Sequence, residues 1–267
     1  MTLTVAIGGL GAVGMTLARA LDAGMDGLRL VAVAARDPAG AAARLRSFRV
    51  PPPVVPLAEL AQADIVVEAA PAACFDAIVL PALGAGRTVV AVSAGALLPR
   101  MHLVRVAQAA GGRIVVPTGA LLGLDAVRAA AEGPVESVRL VTRKPPAGLA
   151  GAPYLETAAI DLAAVTVPTL VFAGNALEAA AGFPANLNVA AALALAGVGP
   201  VRTQVEIWAD PTVVRNTHTI RVVAESATME MTIEGVPSLE NPRTGRITPL
   251  SVIACLRGMV APLRVGS

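Results

Sequence analysis

Three glycines near the start of the chain constrain its fold most. Gly9, Gly11 and Gly14 stand in the pattern Gly-x-Gly-x-x-Gly. The stretch before them, Thr2–Ile7, alternates and is β-rich, which predicts a strand. The stretch after them, Ala12–Ala23, sets Val13, Leu17, Ala20 and Leu21 at helical spacing. In that context the first glycine permits a tight turn, the second lets a pyrophosphate approach the backbone, and the third lets helix and strand pack closely. The helix N-terminus adds unpaired N–H groups and partial positive charge. Gly9, Gly11, Ala12, Val13 and Gly14 are therefore the candidate cradle of a dinucleotide, a reading favoured here over a purely structural turn.

The end of the second predicted strand, Leu28–Ala34, bears on which dinucleotide. An acid about 20 residues beyond the loop would hold a ribose 2′-OH, whereas an arginine accommodates a 2′-phosphate. The segment reads Ala34-Ala35-Arg36-Asp37-Pro38. Ala35 takes the usual acidic position, Arg36 follows, and Asp37 with Pro38 has the form of a helix cap and first turn. Arg36 is either a solvated turn residue or a 2′-phosphate ligand, and the pattern leans toward NADP being accepted alongside NAD. FAD fits a chain of this size less well.

The alternation continues. Leu57–Ala63 reads as a helix, Ile65–Glu68 as a strand, Cys74–Ala85 as a helix, Thr88–Val92 as a strand, Met101–Ala110 as a helix and Arg113–Val116 as a strand. Strands alternating with helices predict an α/β class: an N-terminal Rossmann, doubly wound parallel sheet. The run Leu28–Ala34 is apolar apart from Arg29, and reads as a strand buried on both faces. The character changes near Thr118. Helices are predicted within Gly119–Glu132 and over Phe183–Ala196, with a strand over Val135–Arg143 and a short strand and helix in Asp161–Ala181. Val201–Ala209, Thr217–Ala224 and Ala227–Ile233 read as antiparallel strands. That is a second, α+β domain with a mixed or antiparallel sheet. The expected division is 1–118 for the dinucleotide domain, joined by a C-terminal helical segment 242–267, and 119–241 for a substrate-binding, catalytic and dimerisation domain.

Composition narrows the classes. The chain has 267 residues, 55% hydrophobic and 15% charged, which excludes disorder. Aromatics are only 2%, so the core must be built from Ala, Val and Leu. A net charge of +2 without a basic stripe argues against nucleic acid as a partner. No apolar run has the length and purity of a membrane span, and no basic residue precedes Arg19 as a signal peptide requires. Cys74 and Cys255 are too few for a disulfide framework or a zinc site, which fits a reducing cytoplasm and no metal. Lys144 is the only lysine; every other basic residue is arginine.

Two histidines offer a group that titrates near neutral pH, His102 and His218. His102 falls in an amphipathic helix and reads as a surface residue. His218, in Asp210-Pro211 … Asn216-Thr217-His218, reads equally well as a structural or a catalytic imidazole. Asn186 and Asn188 sit in apolar surroundings, as helix caps or as site residues. Arg143 and Lys144 could hold an anion or form a solvated strand end. Asn241-Pro242-Arg243-Thr244-Gly245 reads as a turn.

With these pieces in place the chain resembles the L-aspartate dehydrogenase family over nearly its whole length. The resemblance rests on Gly9–Gly14, Ser93-Ala94-Gly95-Ala96-Leu97, Pro117–Asp125, Thr142-Arg143-Lys144-Pro145-Pro146, Phe183–Ala191, Asp210-Pro211 with Asn216-Thr217-His218, and Pro237-Ser238 with Asn241–Thr244. It implies NAD(P)-dependent oxidation of L-aspartate to iminoaspartate, which hydrolyses to oxaloacetate and ammonia or feeds NAD biosynthesis. It implies His218 as the active-site acid/base, nicotinamide-side contacts at Leu122 and Asn188, and a homodimer. Where this chain has Leu122 the family commonly has alanine, which a backbone contact would survive. Arg143, Lys144, Asn186 and Thr244 are the candidate ligands of the substrate carboxylates. Two rival readings stay open: a dehydrogenase of another small amino or hydroxy acid, and a non-catalytic NADP-binding sensor on the same scaffold.

Overall fold

β1 (Leu3–Gly8) runs into the glycine loop and the chain leaves it through α1 (Ala12–Ala23). This is seen in a computed structural model that describes residues 2–184, 188–238 and 244–266. The chain divides into two units, Met1–Pro117 with Thr248–Val265, and Thr118–Ile247 with Gly266–Ser267.

Unit 1 continues with β2 (Leu28–Ala34), α2 (Pro38–Leu45), β3 (Ile65–Glu68), α3 (Phe75–Gly84), β4 (Thr88–Ala91), the single turn α4 (Ala94–Leu97), α5 (His102–Ala110) and β5 (Arg113–Val115). The five strands form one sheet in the order β2-β1-β3-β4-β5, every pairing parallel. The connections leave β1 on one side to β2 and return on its other side to β3, so the strand order reverses beside β1. Ligands of such sheets bind at that point, beyond the carboxyl ends of the strands. Gly8 is in register with Ala34 on one side and Glu68 on the other, and Glu68 with Ala91. These four residues form the row that carries the loops.

The core is aliphatic, as the low aromatic content requires. Val5, Ile7, Leu17, Leu21, Val67 and Val90 are buried together with Val252 and Leu256 of the C-terminal helix, Ile247–Val260. Two expectations are corrected. Leu28–Ala34 is the sheet edge, not a strand buried on both faces: Arg29 is exposed, Leu30–Ala32 are half-buried, and an isolated bridge from Val33 to Val54 covers its end. Leu57–Gln62 is a 3-10 helix, too short for an α-helical face.

Unit 2 holds α6 (Leu124–Ala131), β6 (Val135–Lys144), α7 (Pro153–Thr157), β7 (Thr169–Asn175), α8 (Ala176–Gly182), α9 (Asn188–Ala196), β8 (Thr203–Ala209), β9 (Asn216–Ala224) and β10 (Thr228–Gly235). Its sheet order is β10-β9-β6-β8-β7. β8 is parallel to β6, not antiparallel as expected, and the other three pairings are antiparallel. α8 opens with a capping box of Asn175 and Glu178 and ends at Phe183, so the helix read over Phe183–Ala196 resolves into the end of α8 and, from Asn188, α9. Ala190–Ala194 are all buried. Tyr154, Phe172 and Phe183, three of the chain's few aromatics, cluster with ring centroids 5.2–5.5 Å apart. Among the described residues no helix is long and apolar enough to cross a membrane.

Candidate functional site

The glycine loop is built as a cradle. Gly9 takes φ +101°, a conformation that favours glycine, and its N–H donates to the Ala34 carbonyl at 2.8 Å. A Cβ there would lie 2.5 Å from the Ala69 carbonyl oxygen, and a Cβ on Gly14 would lie 1.9 Å from the Gly9 oxygen. The backbone therefore requires both glycines. At Gly11 a Cβ would meet nothing within 4 Å. Its lack of a side chain serves no internal packing and leaves open space over the loop. Gly11 is the N-cap of α1 and makes no side-chain cap, and Ala12 and Val13 are the first helical residues, half-buried. This arrangement fits a dinucleotide pyrophosphate.

Arg36 is exposed just beyond β2. Asp37 caps α2, accepting from the Gly40 N–H at 3.0 Å, so its carboxylate serves the helix. Arg44, two turns along that helix, donates to the Leu10 carbonyl of the glycine loop at 3.2 Å. Sequence reasoning missed Arg44, although its spacing of seven from the cap placed it toward the loop. It also missed Glu68, which closes the apolar strand β3 and is fully buried. Its carboxylate accepts from the Ala70 N–H at 3.2 Å, the Ser93 N–H at 2.9 Å and the Ser93 hydroxyl at 3.0 Å. Burial pushes its pKa up against these bonds. Glu68 thereby fastens the loops after β3 and β4 beside Gly9. An acid ending an apolar run was the signal available.

In unit 2 one end of the covered sheet face is polar. Strand alternation places Leu140, Thr142 and Lys144 of β6 on that face. His218 of β9 stands directly across from Thr142 in register. Thr142, Lys144 and His218 are only 5%, 5% and 4% exposed. Thr142 Oγ1 and His218 Nδ1 are 3.0 Å apart, a hydrogen bond between buried partners. Burial holds the His218 imidazole down to about 3, and the Lys144 charge adds to this. Burial alone holds Lys144 down to about 8. The expectation of a histidine titrating near neutrality is thus corrected: His218 is neutral because its charged form is desolvated next to a cation. Thr142 and Lys144 share a cavity of about 10 Å³ with Val189 and Ala190 of the first turn of α9.

The other candidates fall in several places. Arg143 is on the opposite face of β6 from Lys144. Its guanidinium binds Asp210 at 3.0 Å and lies 4.7 Å from the Trp208 ring centroid, on the face of β6 away from Thr142 and Lys144. Asp210 is held below the usual carboxylate range first by the Thr212 hydroxyl and also by Arg143. Leu122 is half-buried in the loop before α6, where Gly123 adopts φ +63°. Asn188 is exposed as the first residue of α9. Thr244 is half-buried, and its carbonyl accepts from the Ser238 N–H at 2.8 Å. Asn186 and Asn241–Arg243 lie outside the described residues. His102 is exposed, and Cys74 and Cys255 are half-buried free thiols.

Residues 125–259 match the family model for the C-terminal region of aspartate dehydrogenase, and residues 9–117 match the NAD-binding domain model of homoserine dehydrogenase. The chain is 57% identical to an L-aspartate dehydrogenase of Bordetella bronchiseptica, covering 99% of this chain and 98% of the relative. It is 40% identical to an L-aspartate dehydrogenase of Methanocella arvoryzae, covering 98% and 99%. The crystal structure of aspartate dehydrogenase from Thermotoga maritima superimposes with a TM-score of 0.73 at 25% identity, covering 100% of both chains.

Proposed function

Because the chain belongs to the L-aspartate dehydrogenase family, we propose that it oxidises L-aspartate at Cα to iminoaspartate, with His218 as the acid/base. The enzyme is an oxidoreductase whose cofactor is NAD or NADP. The observation that carries the proposal is the polar end of the unit 2 sheet, where a neutral imidazole and the chain's only lysine share one buried face.

The glycine loop and α1 would hold the dinucleotide, with Leu122 and Asn188 as nicotinamide-side contacts. When bound, the nicotinamide supplies the acceptor for the Cα hydride. The residues of unit 2 handle the substrate. A substrate ammonium must lose a proton before its carbon can give up hydride, and neutral His218 can take it. Aspartate brings two carboxylates. A carboxylate at Lys144 would meet an ammonium and the positive end of α9, whose first turn lines the cavity there; at about 10 Å³ that cavity has room for about one water and must widen to admit the carboxylate. The carboxylate charge offsets that of Lys144 and raises the affinity of His218 for a proton, so substrate binding improves the base it needs. The imidazolium can return its proton as water adds to the imine and ammonia leaves. The hydroxyl of Thr244 is a second candidate carboxylate ligand. Arg143 is left out because its guanidinium is committed to Asp210.

The test is NAD(P)H formation measured across the common amino acids. Aspartate is expected to give the largest turnover, and no response to aspartate would overturn the reading. His218→Ala is expected to lower kcat by about 100-fold or more with cofactor affinity nearly unchanged. Wild-type turnover in that variant removes His218 from the mechanism. The proposal includes a homodimer, to be checked by sedimentation against the 26.8 kDa chain mass.

A further inference from the structure

We propose that Thr142 is a positioning residue that fixes the tautomer of His218, receiving the Nδ1 proton and leaving Nε2 as the nitrogen that exchanges a proton with substrate. This rests on the reading of His218 as the base. The geometry is specific. Thr142 and His218 are a directly opposed cross-strand pair, so the two Cβ atoms are fixed by the sheet. Both side chains are buried, and Oγ1 and Nδ1 lie at 3.0 Å. Threonine is β-branched, so few rotamers are open to it and the hydroxyl is held where the strand puts it. Nothing in the sequence reading singled out this hydroxyl, because the partner is 76 residues away.

A neutral imidazole has one N–H and one lone pair, and the bond made at one nitrogen sets the role of the other. A hydroxyl can donate or accept, so distance alone allows two arrangements. If the hydroxyl donated to Nδ1, Nε2 would carry the hydrogen and could take no proton from an ammonium. If Nδ1–H donates to Oγ1, the Nε2 lone pair is free. The base role selects the second. Neutrality of the imidazole, enforced by burial and by Lys144, keeps the tautomer defined at neutral pH. A wrong tautomer in an otherwise intact site is known to be costly to proton transfer.

The experiment uses the full chain with ¹⁵N-labelled histidine. Only two imidazoles exist, and His102→Gln, at an exposed position outside the site, assigns them. At neutral pH the His218 nitrogens are expected to report Nδ1–H. In Thr142→Val, nearly isosteric, the Nε2–H form is expected to grow. In the same variant kcat with L-aspartate and NAD is expected to fall by about 10-fold or more, the aspartate KM staying within about 3-fold. Thr142→Ser keeps the hydroxyl and is expected to recover most of kcat. An Nε2–H tautomer or an imidazolium in the wild type overturns the assignment, as does wild-type kcat in Thr142→Val. If Thr142→Val does not fold, the wild-type tautomer and the serine variant still decide the matter. Failure of the base reading is separate: His218→Ala with full turnover defeats that, whichever tautomer the spectrum shows.

Discussion

Burial disfavours the charged forms of His218 and Lys144, and the stability of the chain should record it. His218 titrates at about 3 in the folded chain against 6.5 for a free imidazole. Between those values the unfolded chain binds the extra proton, so stability rises with pH across the window and is lost as pH falls from 6.5 toward 3. Lys144, lowered from 10.5 to about 8, acts in the same direction in the alkaline window between those values. Removing the imidazole should remove the acid-side part. We expect the wild type to lose about 1–2 kcal/mol more than His218→Gln between pH 7 and pH 5, measured by urea titration. Parallel losses in the two proteins would mean that His218 is not desolvated. His218 was visible in the sequence as one of two histidines, but its depressed affinity was not. That comes from burial and from a lysine brought across the sheet, and neither is a property of neighbouring residues in the chain. Glu68 was missed for the same reason, since two of its donors come from Ser93 in the loop after β4.

At the scale of the element, patterns whose cause is local were legible. α1, β2 and β3 fall on the residues their spacing and composition mark, and Asp37 caps α2 as its position before Pro38 requires. What depended on a neighbouring strand was not legible: that β2 is an edge, that β8 runs parallel to β6, and that Arg143 and Lys144 point to opposite faces. The last follows from strand alternation once β6 is known to continue through Lys144. The turn from β2 to α2 carries the coenzyme prediction. Asp37 caps α2 through one carboxylate oxygen, while Arg36 is exposed and Arg44 reaches the glycine loop. On the 2′-phosphate reading, Arg36→Ala is expected to weaken NADP by about 10-fold or more and NAD much less, because a charge-assisted bond would be lost. Equal weakening of the two coenzymes in fluorescence titrations would sink the 2′-phosphate role.

The whole molecule is not read in chain order. Unit 1 closes only when Thr248–Val265 joins Met1–Pro117, with Thr118–Ile247 of unit 2 intervening in sequence. The sequence leads one to expect an apolar C-terminal segment joined to the first domain; which residues it packs against is not legible there, because Val252 and Leu256 lie more than 200 residues from Val5, Leu17, Met25 and Leu28. Val252 and Leu256 are fully buried in the cluster that contains Val5, Leu17, Met25 and Leu28, and Gly27 approaches Val260 so closely that a Cβ would lie 3.1 Å from it. Such non-local closure is slow to form, and its loss is felt across the unit. Leu256→Ala leaves a cavity in that core and is expected to cost about 2–5 kcal/mol in urea unfolding, although the residue lies far along the chain from the glycine loop. With the coenzyme, NAD or NADP, proposed to bind the folded form of unit 1, saturating coenzyme should return part of the loss. An unchanged midpoint in the variant would show that the C-terminal helix only lies against unit 1 and does not complete its core.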